Sequence, residues 1–172
     1  MPINFLEQLV AEWYEYRGFF VRRNVHVGKR TAGGHEGELD VVAFHPVEKK
    51  LVQIETSMDA ESWDKRETKF KRKFDTGKKY IPRLFTGLDP LPDIEHIALF
   101  GMLKTKSRDK VGGGDVLPVC ELLNEIRSKI PADYTAETVP EQFVILRTLQ
   151  FAAQCWKPST PIAANSLPSR QG

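Results

Sequence analysis

The chain has 172 residues, of which 41% are hydrophobic and 28% are charged, and its formal net charge is +2. This length suits one domain with its own core, and the composition excludes fibrous, membrane-embedded and disordered proteins. No apolar run approaches the ~18 residues of a membrane span, and the first residues do not resemble a signal peptide. Neither Cys120 nor Cys155 belongs to a CxxC pair. We therefore expect a cytoplasmic protein without a membrane partner, with both thiols buried as small hydrophobes.

Hydrophobic periodicity and turn-forming residues predict the secondary structure in chain order. A helix is expected over residues 4–17, followed by strands over 19–27, 38–44 and 50–56, a helix over 62–79 that ends before Pro82, a strand within 93–103, and helices over 116–130 and 141–155. The glycine-rich stretch 28–37 is predicted as a hairpin connection and residues 112–115 as a loop. Residues 1–156 are expected to form one domain, and residues 157–172 a disordered tail.

The order of elements is therefore helix, three strands, helix and strand, with two extra helices at the C-terminus. It predicts an α/β (α+β) fold in which a mixed central sheet is flanked by helices. The strand–helix–strand unit over residues 51–102 predicts one parallel crossover.

The polar residues of two neighbouring strands carry the candidate chemistry. Because side chains alternate along a strand, Glu38 and Asp40 share one face, and Gln53, Glu55 and Ser57 share one face. Four apolar residues are expected to face the other way, towards a helix-covered core: Leu39, Val41, Val52 and Ile54. Carboxylates on adjacent strands repel one another unless a cation compensates them, and hard oxygen ligands suit Mg²⁺ or Mn²⁺. A single acidic residue in a strand is, however, more often solvent-facing than catalytic.

Three segments together resemble the PD-(D/E)xK nuclease superfamily, which has the restriction-endonuclease-like fold. The resemblance lies in EQLVA and GFF at residues 7–11 and 18–20, GELDVVA at 37–43 and VQIETS at 52–57. It implies that Asp40 and Glu55 bind Mg²⁺ or Mn²⁺, with Glu7 supporting the metal from the first helix. The implied activity is metal-assisted attack of water on a DNA phosphodiester. Glu38, Gln53 and His35 are candidates for supporting roles around that centre.

One residue departs from the superfamily pattern, which expects a lysine two positions after the glutamate. Ser57 stands there and supplies a hydrogen bond but no charge. The predicted helix over residues 62–79 offers three cations at the edges of its buried stripe, namely Arg66, Lys71 and Lys73. Any of them is a candidate replacement, and the predicted catalytic set is Asp40, Glu55, Ser57 and Lys73.

Basic residues cluster on the same helix, where residues 64–79 hold eight Lys or Arg against three acids. Such a surplus is typical of a phosphate-contacting surface, and equally of a solvated helix face. The residues predicted to contact DNA are Arg22, Arg23, Lys29, Arg30, Arg66, Lys69, Lys71 and Lys73.

Three hypotheses follow from the sequence. The first is a magnesium-dependent DNA endonuclease, and the second is a catalytically degenerate nuclease fold that acts as a nucleic-acid-binding or assembly module. The third is an unrelated α/β binding protein whose carboxylates are incidental. Ser57 favours the second hypothesis, whereas a lysine or arginine within reach of Glu55 favours the first. Superfamily members often dimerise, so a homodimer is left open.

Overall fold

The computed structural model describes residues 4–103 and 106–156, and the tail predicted over 157–172 lies outside them. The described elements are α1 (Phe5–Tyr16), β1 (Phe20–Lys29), β2 (His35–His45), β3 (Lys50–Ser57), α2 (Trp63–Leu84), β4 (Ile94–Phe100), β5 (Lys110–Val111), β6 (Gly114–Pro118), α3 (Val119–Lys129) and α4 (Val144–Cys155). In this part of the chain, no helix is long and apolar enough to cross a membrane.

The strands form one six-stranded sheet in the order β1-β2-β3-β4-β6-β5. The first three strands are an antiparallel meander, whereas β4 runs parallel to both β3 and β6. The unit β3–α2–β4 is the parallel crossover expected from the sequence. The predicted fold class is therefore confirmed, because a mixed sheet carries helices on both faces and the helix–three strands–helix–strand order holds.

The two faces of the sheet bury separate hydrophobic clusters. On one face α1, α3 and α4 pack through residues such as Leu6, Trp13 and Leu122 against Val41 and Ile54 of the sheet. On the other face α2 stands alone and covers two clusters, one around Phe70 and Phe74 and the other around Tyr80 and Ile81. Any side chain between the sheet and α2 is therefore shielded by this one helix.

The first helix begins and ends as predicted. The Asn4 side chain accepts a hydrogen bond of 3.1 Å from the backbone N–H of Leu6, which satisfies one of the free donors at the helix start. Gly18, with φ of 90°, follows the last turn in the left-handed region that glycine adopts without strain. On the buried side, Glu12 accepts hydrogen bonds from the backbone N–H groups of Ile145 and Leu146. A carboxylate of α1 thus caps the N-terminus of α4.

Several predicted boundaries are wrong. The second helix continues past Pro82 to Leu84, because Tyr80 and Ile81 in its last turns are buried against the sheet. Gly112 and Gly113 form the turn of the β5–β6 hairpin, but Gly114 and Asp115 of the predicted loop belong to β6, and residues 116–118 continue β6 rather than begin a helix. The last helix begins at Val144, three residues later than expected. Cys120 and Cys155 are both exposed rather than buried.

The β1–β2 ribbon is kinked at Asp40, and the strict alternation of its side chains between the two faces of the sheet is broken there. In the paired register Asp40 lies opposite Asn24, between the pairs Arg23↔Val41 and Val25↔Leu39, and Asn24 has a positive φ of 51°. On one side of this level Val41 packs in the α1 cluster, whereas on the other side Val25 and Leu39 pack in the α2 cluster. The expectation that Leu39 shares a face with Val41 is therefore wrong, because strict alternation fails at the kink.

Candidate active site

Strands β2 and β3 separate at the candidate site. Their paired register ends at Val41 and Ile54, so the next backbone N–H groups of β3 need other partners. The carboxylate of Asp40 meets one of them, because its Oδ2 accepts hydrogen bonds of 2.8 Å from Thr56 N and 3.2 Å from Thr56 Oγ1. Asp40 therefore holds the fork between the strands and keeps its second oxygen, Oδ1, for the site.

Glu55 lies on β3 at the same fork and is fully buried. Its Oε1 accepts a hydrogen bond of 2.7 Å from Nε2 of Gln53, which also donates to the backbone carbonyl of Lys73 at 3.2 Å. One amide thus joins the carboxylate to α2. An ionised carboxylate at this depth is costly without a compensating charge.

Lys73 of α2 supplies that charge. Its Nζ lies 2.8 Å from Oδ1 of Asp40 and 2.7 Å from Oε2 of Glu55, and its side chain is 22% exposed. Of the three cations proposed from the sequence as replacements for the missing lysine, Lys73 is the one that contacts both carboxylates. It reaches the site from a helix, whereas the superfamily pattern expects a lysine on the strand.

Two close approaches and a hydrogen bond seat α2 on the sheet and fix the position of Lys73. A side chain at Gly77 would collide with the amide of Gln53, and one at Gly112 would collide with the α2 backbone at Phe70 and Lys71. The N–H of Gly112 also donates a hydrogen bond of 3.0 Å to Glu67 Oε2. Gly77 was not singled out from the sequence, and Gly112 only as part of a predicted loop, since only tertiary packing requires a small residue at either position.

Burial and the neighbouring charges set the ionisation of Glu55 and Lys73. Burial raises the pKa of Glu55 to about 7; the Asp40 carboxylate adds to this rise, and Lys73 and Gln53 oppose it. Burial also opposes the charge of Lys73, but the Glu55 and Asp40 carboxylates outweigh it, and the pKa of Lys73 is raised. Lys73 therefore remains a cation at neutral pH.

Glu7 adjoins this centre through two hydrogen bonds of Asn4. The Asn4 amide donates to Glu7 Oε1 at 2.8 Å and to Thr56 Oγ1 at 3.2 Å. Burial, followed by the Asp40 carboxylate, raises the pKa of Glu7. Glu7 therefore lies in the electrostatic range of Asp40.

The carboxylates of Asp40 and Glu55 offer oxygen ligands of the kind that a divalent metal takes. No group of three or more His, Cys, Asp or Glu residues is arranged to hold a metal ion within residues 4–103 and 106–156. Mg²⁺, however, usually takes only one or two protein carboxylates and completes its shell with water and substrate phosphates. Asp40 Oδ1 and Glu55 Oε2 converge on one point, where both contact Lys73. In number and chemistry these two oxygens fit such a cation.

Three other predicted site residues have different surroundings. Ser57 is buried, and its hydroxyl exchanges hydrogen bonds with Asp59, at 3.3 Å to Oδ2 and 3.2 Å from the backbone N–H. The Glu38 carboxylate lies 4.0 Å from Nδ1 of His26. The His35 ring stacks on His26 with centroids 4.9 Å apart, near the turn of the β1–β2 hairpin.

Most of the α2 residues predicted to contact DNA already have partners within the protein. Arg66 is 7% exposed and donates to the Asp59 carbonyl at 2.8 Å, while Lys69 pairs with Asp59 and Lys71 pairs with Asp75. The remaining predicted contacts are exposed on β1 and in the β1–β2 turn: Arg22, Arg23, Lys29 and Arg30. Among the described residues none of these four has an acidic partner within 4.0 Å, although Arg23 hydrogen-bonds Gln8.

No protein-family model matches the chain, and no curated protein matches it either. Among solved structures it is similar to the crystal structure of AF1548, a protein of unknown function, at 19% sequence identity. That match covers 87% of this chain and 78% of the other, with a TM-score of 0.46.

Proposed function

We propose that this protein is a Mg²⁺- or Mn²⁺-dependent DNA endonuclease of the PD-(D/E)xK type, with Asp40, Glu55 and Lys73 at its centre. The observation that carries the proposal is the contact of Lys73 Nζ with both carboxylates, at 2.8 and 2.7 Å. A strand carboxylate pair with a lysine beside it is the set that the superfamily pattern requires. Ser57 argues against activity, whereas the position of Lys73 supports it.

The contacts suggest a separate task for each residue. Thr56 holds Oδ2 of Asp40 and Gln53 holds Oε1 of Glu55, so each carboxylate presents its other oxygen, and Asp40 and Glu55 would hold the metal with these. The metal, when bound, lowers the pKa of a water molecule and screens the charge that develops on the phosphate. Lys73 stays protonated and acts as a positive charge towards the phosphoryl oxygens rather than as a proton acceptor.

The exposed cations of the β1–β2 ribbon support DNA as the substrate. Lys29 and Arg30 lie at its turn without acidic partners among the described residues, so they are available to phosphates. On α2, Lys69 and Lys71 are already paired with Asp59 and Asp75, which lowers the number of cations free for phosphates. Binding should therefore involve few phosphates and depend only moderately on salt.

The direct test is cleavage of supercoiled, linear and single-stranded DNA in Mg²⁺ or Mn²⁺ by the wild type, Asp40→Asn, Glu55→Gln and Lys73→Met. Asparagine at 40 keeps an acceptor for Thr56, so the fork between the strands is preserved. Lys65→Met is the matched control, because Lys65 is an exposed lysine of the same helix. Metal-dependent cutting that is lost in the three site variants and kept in the control supports the proposal.

Two other outcomes would replace it. Salt-sensitive DNA binding without cutting by the wild type would favour the catalytically degenerate nucleic-acid-binding or assembly module. Absence of both cutting and DNA binding would favour an unrelated function for this fold.

A further inference from the structure

The ammonium of Lys73 occupies the point where the two free carboxylate oxygens converge. Its Nζ lies 2.8 Å from Asp40 Oδ1 and 2.7 Å from Glu55 Oε2. A divalent cation bound by the same two oxygens would sit about 2.0–2.1 Å from each of them. The ammonium and the metal would therefore overlap or lie close enough for strong repulsion in this buried setting.

We propose that Lys73 holds the cation position in the free protein, and that a divalent cation binds with full affinity only when a nucleic-acid phosphate draws the lysine aside. Metal and phosphate would then bind cooperatively, with one side chain as the switch between two arrangements. This inference rests on the proposed function, since it concerns the same two ligands. It adds that the free site already holds the positive charge of Lys73 and is converted to a metal site by its substrate.

Only the side chain of Lys73 has to move. Its backbone carbonyl accepts a hydrogen bond from Gln53 at 3.2 Å, and the neighbouring turn of α2 is held against Gly112. The side chain is 22% exposed, so its ammonium has a route to solvent. A flexible four-carbon stem permits such a displacement without disturbing the helix.

A phosphate can compensate the lysine for the contacts that it gives up. A phosphodiester beside Asp40 and Glu55 supplies anionic oxygens to Lys73 and further oxygen ligands to the metal. The two carboxylates then keep one cation between them, and the lysine exchanges carboxylate oxygens for phosphate oxygens. By linkage, the factor by which phosphate increases metal affinity equals the factor by which metal increases phosphate affinity.

The experiment is calorimetric titration of Mn²⁺ into the wild type, Lys73→Met and Lys65→Met, each alone and with a short duplex carrying phosphorothioate linkages. We expect Lys73→Met alone to bind Mn²⁺ at least about tenfold more tightly than the wild type, because no ammonium competes. The duplex should tighten Mn²⁺ binding to the wild type and to Lys65→Met, and should change that of Lys73→Met much less. Lys73→Gln serves as a second, polar variant, so that poor folding of the methionine variant does not decide the outcome.

Two results would overturn the coupling. One is Mn²⁺ binding to both Lys73 variants that is no tighter than to the wild type. The other is wild-type Mn²⁺ affinity that the bound duplex leaves unchanged. If either result is obtained and the wild type still cuts DNA, the coupling is wrong and the nuclease proposal stands. If the Lys73 variants bind Mn²⁺ more tightly but the wild type does not cut DNA, the competition between Lys73 and the metal is supported and the nuclease proposal is wrong.

Discussion

Nζ of Lys73 lies 2.7 Å from Oε2 of Glu55, although 18 positions separate the two residues in the sequence. The same ammonium contacts Asp40, 33 positions away, at 2.8 Å. Three secondary-structure elements thus meet in one charge cluster, and each contributes one ionisable side chain. The two carboxylates contact their shared cation only while all three elements are in place.

Lys73→Met is expected to lower the free energy of unfolding by about 2–4 kcal/mol, because it leaves two carboxylates without their buried cation. This loss of stability should become larger as the pH rises. The folded-state pKa of Glu55 is already raised from 4.5 to about 7, and loss of Lys73 raises it further. The stability that protonated Glu55 contributes below pH 4.5 is therefore lost as the pH rises and Glu55 ionises. Urea denaturation from pH 5 to pH 8 tests this, with Lys65→Met as control. An equal deficit at all pH values would contradict it.

Ser57→Ala is expected to cut DNA at a rate within about threefold of the wild type, whereas Lys73→Met should lose at least about a hundredfold. The Ser57 hydroxyl bonds Asp59 rather than either site carboxylate, so it has no position from which to replace the missing lysine. Single-turnover cleavage in Mg²⁺ measures both variants. If Ser57→Ala loses as much activity as Lys73→Met, our assignment of the cation is wrong.

Gly77→Ala should destabilise the protein by about 2 kcal/mol or more, although alanine at an exposed helix position ordinarily stabilises by about 1 kcal/mol. The added methyl group would collide with the Gln53 amide, which links Glu55 to the backbone of α2. Thermal unfolding measures the change in stability. A stabilised variant would show that α2 does not approach β3 as closely as described.

Glu12→Ala is expected to cost about 2–3 kcal/mol, since it removes a charged acceptor from two buried N–H groups at the start of α4. The wild-type carboxylate accepts from Ile145 at 2.8 Å and from Leu146 at 3.1 Å. Glu15→Ala, an exposed change on the same helix, should cost less than about 0.5 kcal/mol. Urea denaturation gives both values, and amide exchange at Ile145 and Leu146 should accelerate in Glu12→Ala alone.

His96 should make the protein sensitive to acid. Burial, aided by the charge of Lys78, lowers the pKa of His96 from 6.5 to about 4. The unfolded chain therefore takes up a proton first, so stability that is complete above pH 6.5 falls by about 1–2 kcal/mol towards pH 4. His96→Gln should remove this part of the pH dependence, whereas His26→Gln, at a more exposed ring, should leave it. Equal slopes in the wild type and His96→Gln would refute the assignment.

The sequence predicted the elements that have strong periodicity. The first helix, the three-strand meander and the strand after α2 follow from apolar spacing and from Asn4 and Gly18. The β5–β6 hairpin gave no such signal, because β5 has two residues and the turn is made of glycines. Pro82 predicted an earlier end for the second helix. The helix continues to Leu84 because burial of the turn before Pro82 outweighs this local preference.

The candidate site was predictable to a similar extent. Strand alternation placed Asp40 and Glu55 among the polar residues of two neighbouring strands, and the resemblance to the superfamily selected these two as the expected metal ligands. The choice of Lys73 over Arg66 or Lys71 depended on the rotation of α2 against the sheet. Packing at Gly77 and Gly112 sets that rotation, and neither contact has a signature in one sequence. The local neutralisation of Lys69 and Lys71 was missed for the same reason.

Because Lys73 of the candidate site lies on α2, the site depends on the docking of one helix. If α2 lifts from the sheet in a partial opening, Asp40 and Glu55 lose their cation and Gln53 loses its carbonyl partner at once, while the α1 face stays packed. Such an opening would inactivate the protein without unfolding it. Amide exchange of α2 under native conditions would then report the fraction of molecules with an intact site more directly than global stability does.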